Sequence, residues 1–285
     1  METTFNDKGQ DGSSEELERL QIKLFLDGIY EWYGYDFRDY AYNSIKRRIW
    51  HRVYKEKLSS ILELLDKVLY EPTCLENLIA DFSINVTEMF RDPSFFFHFR
   101  EKVVPLLRTY PSIRIWHAGC ATGEEVYSMA ILLQEEGLYE KTKIYATDIN
   151  DKVLKIAKNG QFPLENMKKY TNNYLQAGGK MAFSEYYTVT NNNAKFHPTL
   201  SRNIIFAQHN LVTDQSFNEF HVILCRNVLI YFNKQLQYKV HDLFYNSLSM
   251  FGVLGLGDKE MIANKDKAEC YDPLSPKQKL YQKVR

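Results

Sequence analysis

The sequence predicts an α/β protein whose mainly parallel, doubly wound sheet follows a small all-helical domain. From residue 113 onward, short apolar segments with strand composition alternate with helical segments, which is typical of a parallel sheet with helices on both faces. The first of these strands leads through a glycine turn into a helix, as in nucleotide-binding α/β proteins. Residues 15–80 show only helical periodicity, which predicts the separate helical domain.

The part of the chain before the sheet has three predicted segments. Residues 1–14 are polar and are expected to form a disordered tail. Residues 15–80 are expected to form about four short helices. Residues 81–112 combine a linker rich in polar side chains with a helix that covers the sheet and ends near Pro105 or Leu107.

Residues 113–285 are predicted to form the sheet domain. The apolar segment 220–232 is expected to be one buried strand. Glycine and asparagine turn signals flank residues 183–189, which have strand composition. We therefore expect residues 162–195 to be irregular, with a small β insertion near residues 178–200 rather than another helix.

Composition excludes several classes of protein. The chain has 285 residues and a formal net charge of zero, so it has no strong overall attraction to nucleic acid. Its four cysteines are widely spaced without a C-x-x-C pair, which argues against a zinc site and a disulfide scaffold. It shows no signal peptide and no apolar run of membrane-spanning length. We expect a cytoplasmic enzyme or regulator that binds no metal and does not insert into a membrane.

The segment 113–128 reads as a strand, a turn and a helix. Gly119 and Gly123 give the turn a G-x-x-x-G spacing, and glycines there allow a ligand to approach the backbone closely. The spacing is neither the G-x-G-x-x-G of a dinucleotide site nor a P-loop. Taken alone, the turn is equally compatible with an ordinary connection between a strand and a helix.

An acidic residue, Asp148, ends the next predicted strand. An acid at this position can bind the ribose hydroxyls of an adenosine ligand. The alternative is that Asp148 caps the helix that follows, although Asn150 or Asp151 could cap it equally well.

A basic amphipathic helix is predicted over residues 44–53. Its cationic residues are Lys46, Arg47, Arg48 and Arg52. They form either a solvated helix face or a docking surface for an acidic partner.

Four motifs, taken together, resemble one family. They are N-V-T-E-M-F-R at 85–91, H-A-G-C-A-T-G-E-E-V-Y-S at 117–128, A-T-D-I-N at 146–150 and C-R-N-V-L-I-Y-F at 225–232. In this order they resemble the CheR-type chemotaxis receptor methyltransferases, over about residues 15–260. The resemblance implies a class I methyltransferase fold that binds S-adenosylmethionine, yields S-adenosylhomocysteine, and esterifies glutamates on the cytoplasmic helices of methyl-accepting chemotaxis receptors. A monomer is expected.

The resemblance also implies roles for individual residues. Linker residues close over the cofactor, two acids hold its methionine amino group or its ribose, and residues at the strand ends line the rest: Asn85, Thr87, Arg91, Gly119, Glu125, Asp148, Asn210, Leu211, Arg226 and Asn227. Arg91 and Tyr231 are the expected catalytic residues, as donors that orient the substrate carboxylate. The alternatives are a salt bridge of Arg91 with Asp92 or Glu88, and a packed aromatic ring at Tyr231.

Two further functions compete with glutamate methylation. One is a signalling module that keeps the cofactor but has lost methylation; intact Arg91 and Tyr231 argue against it. The other is a nucleotide-dependent oxidoreductase, which the missing G-x-G-x-x-G disfavours. The sequence departs from the family near its end, where residues 257–260 read Gly-Asp-Lys-Glu instead of the frequent G-H-S-E. This departure leaves the contacts near the substrate cleft open.

Overall fold

A computed structural model describes residues 8–83 and 86–285, which belong to two compact units with their boundary between Ser83 and Ile84. The smaller unit is entirely helical. Its helices are α1 (Lys8–Tyr33), α2 (Tyr42–Lys55), α3 (Ile61–Tyr70) and α4 (Pro72–Phe82). The Ser60 side chain caps α3. Pro72 is the first residue of α4, a position where the backbone N–H that proline lacks would have no partner within the helix.

The four predicted helices are present, but α1 is longer than expected. It begins at Lys8, so the predicted tail is wrong for residues 8–14, while residues 1–7 lie outside the described part of the chain. Ile22, Phe25 and Ile29 are almost fully buried along α1. A helix that is anchored by such packing extends into polar sequence because each added residue forms one more hydrogen bond.

The predicted basic surface of α2 is wrong at two of its four residues. Arg48 and Arg52 are only 5% and 7% exposed. Arg52 donates from Nε to Asp81 Oδ2 over 2.7 Å, and Arg48 donates to the Phe82 carbonyl oxygen. These bonds tie α2 to the end of α4, since a buried guanidinium needs carboxylate or carbonyl acceptors. Lys46 is half-buried and pairs with Glu18, and Arg47 is exposed.

The larger unit contains ten strands and seven helices among its described residues. The strands are β1 (Ile113–Ala118), β2 (Thr142–Asp148), β3 (Gln161–Pro163), β4 (Tyr187–Thr190), β5 (Asn193–Phe196), β6 (Ile204–Gln208), β7 (Phe220–Cys225), β8 (Leu248–Leu256), β9 (Tyr271–Ser275) and β10 (Leu280–Lys283). The helices are α5 (Pro93–His98), α6 (Val104–Arg108), α7 (Glu124–Glu135), α8 (Asp151–Asn159), α9 (Met167–Gln176), α10 (Lys234–Ser247) and α11 (Lys265–Ala268). A π-helical turn, Phe99–Val103, joins α5 to α6, so the covering helix passes Pro105 and ends at Arg108.

Seven strands form the main sheet in the order β6-β2-β1-β7-β8-β10-β9. The first five are parallel, and β10 is antiparallel to both of its neighbours. The chain builds outward from β1 to β2 and β6, and then returns to the other side of β1 with β7. At such a reversal the loops after the two central strands separate and leave a crevice at their carboxyl ends.

The β insertion is present but differs from its prediction. Strands β3, β5 and β4 form a three-stranded antiparallel sheet, and Phe183–Tyr186 is a 3-10 turn that precedes β4. The expectation of no further helix is wrong because α9 occupies Met167–Gln176. Met167, Tyr170 and Tyr174 give α9 a buried face at helical spacing.

The predicted strand over residues 220–232 ends early, at Cys225. Asn227 has a left-handed backbone (φ +62°), which cannot continue a strand, and a 3-10 turn, Leu229–Tyr231, follows. Within the described residues, no helix has the length and apolar character needed to cross a bilayer.

Candidate active site

The glycine turn lies at the crevice between β1 and β7. Gly119 has φ +77°, and a Cβ atom there would lie 2.5 Å from Val228 Cγ2 in the turn after β7. Gly123 has φ +95°, and its Cβ would lie 2.8 Å from the Cβ of Ala157. Both positions therefore need glycine for two reasons, the left-handed backbone and the close neighbour. The turn is therefore packed closely against Val228 after β7 and against Ala157 of α8.

Asp148 ends β2 beside this turn and is only 7% exposed. Its Oδ2 accepts a hydrogen bond from Ala121 N over 2.9 Å, and its Oδ1 accepts from Asn150 N over 3.0 Å. The cap of α8 is Asn150, whose side chain accepts from Lys152 N. Burial raises the pKa of Asp148, although the backbone donors oppose the rise. A carboxylate has about four acceptor sites, and the three backbone donors at Ala121, Ile149 and Asn150 leave one of them for a ribose hydroxyl.

An ion network around the buried Arg226 joins the two central strand ends to the linker. Arg226, just after β7, donates to Glu125 Oε2 over 2.7 Å and to Asp92 Oδ2 over 2.7 Å. Glu125 Oε1 also accepts from His117 Nδ1 over 3.1 Å, which places the hydrogen of that ring on Nδ1 because a carboxylate cannot donate. The guanidinium carbon lies 4.1 Å from the centre of the Phe95 ring. Arg226 is thus fixed by two acids and an aromatic face.

The two adjacent glutamates at the start of α7 differ in their electrostatics. Burial alone would raise the pKa of Glu125, but the Arg226 charge and the His117 contact outweigh it and lower the pKa to about 2. Burial raises the pKa of Glu124 to about 7, and the Thr122 hydroxyl, which donates to Glu124 Oε2 over 2.6 Å, only partly opposes it. Glu125 is therefore a permanent carboxylate, suited to a ligand ammonium group, whereas Glu124 titrates near neutrality.

Another buried carboxylate, that of Glu260, organises the turn after β7. Its Oε2 accepts from Asn227 N over 2.9 Å and from Gly257 N over 2.7 Å, and its Oε1 accepts from Leu229 N over 2.7 Å. In the sequence, residues 257–260 were notable only because they depart from the family pattern. The departing residues, 258 and 259, are exposed, and the signal that could have found the contact is the retained glutamate at 260.

Of the three linker residues expected at the cofactor, the structure describes Thr87 and Arg91. Asn85 lies outside the described residues, and Thr87 is half-buried. Arg91 is half-buried and donates from Nη1 to the Val86 carbonyl oxygen over 3.1 Å. The acids that offered Arg91 a salt bridge have other partners: Glu88 pairs with Lys169, and Asp92 pairs with Arg226. Phe90 and Asp92 have positive φ values of 50° and 54°, so the linker backbone is strained beside the ion network.

The remaining sequence-predicted residues lie at neighbouring strand ends. Asn210 follows β6, where Gln208 pairs with Asp148, and its Oδ1 accepts from Val212 N over 3.0 Å. Leu211 is 9% exposed. Tyr231 ends the 3-10 turn after β7 and is half-buried. The structure thus brings Gly119, Glu125, Asp148, Arg226 and Asn227 to one crevice, while the basic residues of α2 belong to the other unit.

Comparison with known families gives two matches that together cover most of the chain. The SAM-binding domain of the CheR methyltransferases matches residues 85–274, and their all-alpha domain matches residues 20–83. These ranges agree with the boundary between the two structural units.

Comparison with individual proteins gives relatives of similar length. A Pseudomonas putida protein named as a candidate methyltransferase, Cher3, is 47% identical over 95% of this chain and 99% of its own length. A chemotaxis protein methyltransferase of Listeria innocua is 30% identical over 81% of this chain and 86% of its own. Chemotaxis protein methyltransferase 2 of Pseudomonas aeruginosa is 30% identical over 85% and 86%. With its fold and crevice, the chain belongs to the CheR methyltransferase family, and its larger unit is a class I methyltransferase domain whose cofactor is S-adenosylmethionine.

Proposed function

We propose that this protein transfers the methyl group of S-adenosylmethionine to glutamate side chains on the cytoplasmic helices of chemotaxis receptors, and so forms methyl esters. Membership of the family and relatives named as chemotaxis protein methyltransferases support this proposal. The observation that carries it is the network of Glu125, the buried Arg226 and Asp92, which fixes an ionised carboxylate at the crevice between β1 and β7.

The residues of the crevice fit the cofactor chemically. The Nε hydrogen of Arg226 is buried and has no acceptor among the described residues, so the site retains an unused donor. Asp148 is the proposed ribose acceptor and Glu125 the proposed partner of the methionine ammonium. Loop residues Asn210 and Leu211 are assigned to the adenine, and Asn85 and Thr87 to the closing linker. When bound, S-adenosylmethionine supplies an electrophilic methyl group on its sulfonium.

Glutamate methylation requires no general base from the protein. A glutamate side chain has an ordinary pKa of about 4.3, so it is already a nucleophilic carboxylate at neutral pH. The protein must remove water from this carboxylate and aim one oxygen at the methyl carbon, and such orientation contributes at most roughly 7–11 kcal/mol. We assign Arg91 and Tyr231 as the donors that hold the other oxygen. Neither needs to change its protonation state.

The proposal places the protein in the cytoplasm, acting as a monomer on receptor helices and without nucleic acid. Of the basic residues on α2, Arg47 is exposed and Lys46 is half-buried. Docking of an acidic receptor helix on α2 therefore depends mainly on Arg47, since Arg48 and Arg52 already bind acceptors at the end of α4.

The test is methyl transfer from tritiated S-adenosylmethionine to membranes of the source cell. The proposal expects label on receptor bands that mild base releases as volatile methanol, because methyl esters hydrolyse readily. Label that resists base would place the methyl group on another acceptor. Cofactor binding without any transfer would favour the signalling module.

A further inference from the structure

Glu260 joins the carboxyl ends of two adjacent parallel strands. It is 4% exposed, and its two oxygens accept hydrogen bonds from four backbone N–H groups. Three donors lie in the turn after β7, at residues 227, 229 and 230, and the fourth is Gly257, after β8. A charged acceptor makes stronger hydrogen bonds than a neutral one, so this carboxylate holds both loops in one arrangement.

The turn that Glu260 holds is tightly confined on both sides. A Cβ atom on Gly257 would lie 2.7 Å from Glu260 Oε2 and 2.8 Å from Asn227 N. On the other side, Val228 leaves no room for a Cβ on Gly119. Asn227 itself has φ +62°, a conformation that costs free energy and persists only when its surroundings enforce it. Glu260 stabilises this conformation by accepting a hydrogen bond from the Asn227 N–H group.

We propose that Glu260 is a positioning residue for methyl transfer, acting through the turn at residues 227–230. This turn carries Asn227 at its start and leads directly to Tyr231, which the proposed function assigns to the substrate carboxylate. The inference rests on that proposed function. Within the described part of the chain, the hydrogen bonds to the Glu260 carboxylate all come from backbone N–H groups, so its effect on the reaction is to fix where Asn227 and Tyr231 lie.

Replacement of Glu260 by glutamine separates the carboxylate from the shape of the side chain. The amide keeps one acceptor oxygen, but its NH2 group can only donate and would face backbone N–H groups. The substitution therefore leaves two backbone N–H groups without an acceptor, either those of Asn227 and Gly257 or those of Leu229 and Ile230. Asp258→Asn makes the same chemical change two residues earlier, at an exposed position, and is the matched control.

The experiment compares Glu260→Gln, Asp258→Asn and wild-type protein in two assays. Hydrogen exchange of the backbone amides at 227, 229 and 257 reports the stability of the turn, and this measurement does not depend on which side chain of the receptor is methylated. Turnover with receptor membranes, counted per site that binds S-adenosylhomocysteine in calorimetry, reports the reaction. We expect faster exchange at these amides and at least about a tenfold loss of turnover in Glu260→Gln, with Asp258→Asn unchanged.

A double variant shows whether Glu260 acts through Tyr231. If it does, Glu260→Gln with Tyr231→Phe loses little more turnover than the more damaging single variant, whereas independent roles would multiply the two losses. Unchanged exchange, or a lower melting temperature with normal turnover per binding site, would overturn the positioning role. If Glu260→Gln does not fold, Glu260→Asp, which keeps the carboxylate on a shorter side chain, is expected to fold with intermediate turnover; wild-type turnover would contradict us. Inactive wild-type protein would instead refute the proposed function, and amide exchange would still test the contact.

Discussion

The pKa values of the adjacent residues Glu124 and Glu125 are shifted in opposite directions, which predicts opposite effects of their substitution on stability. Burial raises the pKa of Glu124 from an ordinary 4.5 to about 7, while Arg226 and His117 outweigh the effect of burial on Glu125 and lower its pKa to about 2. Each shift is about 2.5 pH units, and one unit corresponds to about 1.36 kcal/mol, so each is worth about 3 kcal/mol in magnitude.

The two contributions have opposite signs and different pH windows. Because its folded-state pKa is depressed, ionised Glu125 contributes stability above pH 4.5 that is lost as the pH falls towards 2. The raised pKa of Glu124 means that its stabilising contribution is complete below pH 4.5 and is lost as the pH rises through 7. At about pH 8, Glu125→Gln should therefore destabilise the protein by roughly 3 kcal/mol, and Glu124→Gln should stabilise it by up to roughly the same amount.

Urea denaturation of the wild type and both variants, at about pH 5 and about pH 8, measures these differences. The stabilisation from Glu124→Gln should be much smaller at the lower pH, where wild-type Glu124 is already protonated. The loss from Glu125→Gln should persist at both pH values, since Arg226 then keeps only Asp92 as a carboxylate partner. Equal effects of the two substitutions, or no effect of Glu125→Gln, would show that the two carboxylates do not differ in this way.

Four more substitutions test the cofactor site, the substrate site, the glycine turn and the surface of α2. Asp148→Ala removes the proposed ribose acceptor and should weaken S-adenosylmethionine binding in calorimetry roughly tenfold or more. Tyr231→Phe should lower turnover with nearly unchanged cofactor affinity; full activity would exclude an orienting hydroxyl. Gly119→Ala forces a Cβ against Val228 at φ +77° and should lower the melting temperature, with a loss on the order of 1–3 kcal/mol. Arg47→Glu should slow receptor methylation most at low salt without changing cofactor binding, and unchanged methylation at low salt would exclude docking through α2.

The sequence was sufficient where function and fold depend on local patterns. The strand, glycine turn and helix around Gly119, and the acid at the end of β2, follow from short segments whose composition and spacing are visible in the chain. The parallel direction of the central strands also follows, because strands that alternate with helices form a mainly parallel sheet. Asp148 and Gly119 therefore lie where the sequence placed them.

The sequence was insufficient where a residue's environment comes from distant segments. Arg48 and Arg52 look like a solvated face of α2, but their acceptors lie about thirty residues away at the end of α4. The donors to Glu260 in the turn after β7 are likewise about thirty residues away, at the end of an adjacent strand. Helix α9 was missed because its polar residues and the nearby glycines and asparagines suggested turns, while three well-spaced buried residues stabilise it through packing.

Glutamate methylation can be observed by mass spectrometry of receptor helices after incubation with the protein and S-adenosylmethionine that carries a deuterated methyl group. We expect the labelled methyl group on glutamate side chains, its removal by mild base, and a strong decrease of the label with Asp148→Ala. Labelled methyl groups confined to lysine, arginine or other side chains, or unmodified receptor in the presence of protein that binds the cofactor, would contradict this expectation.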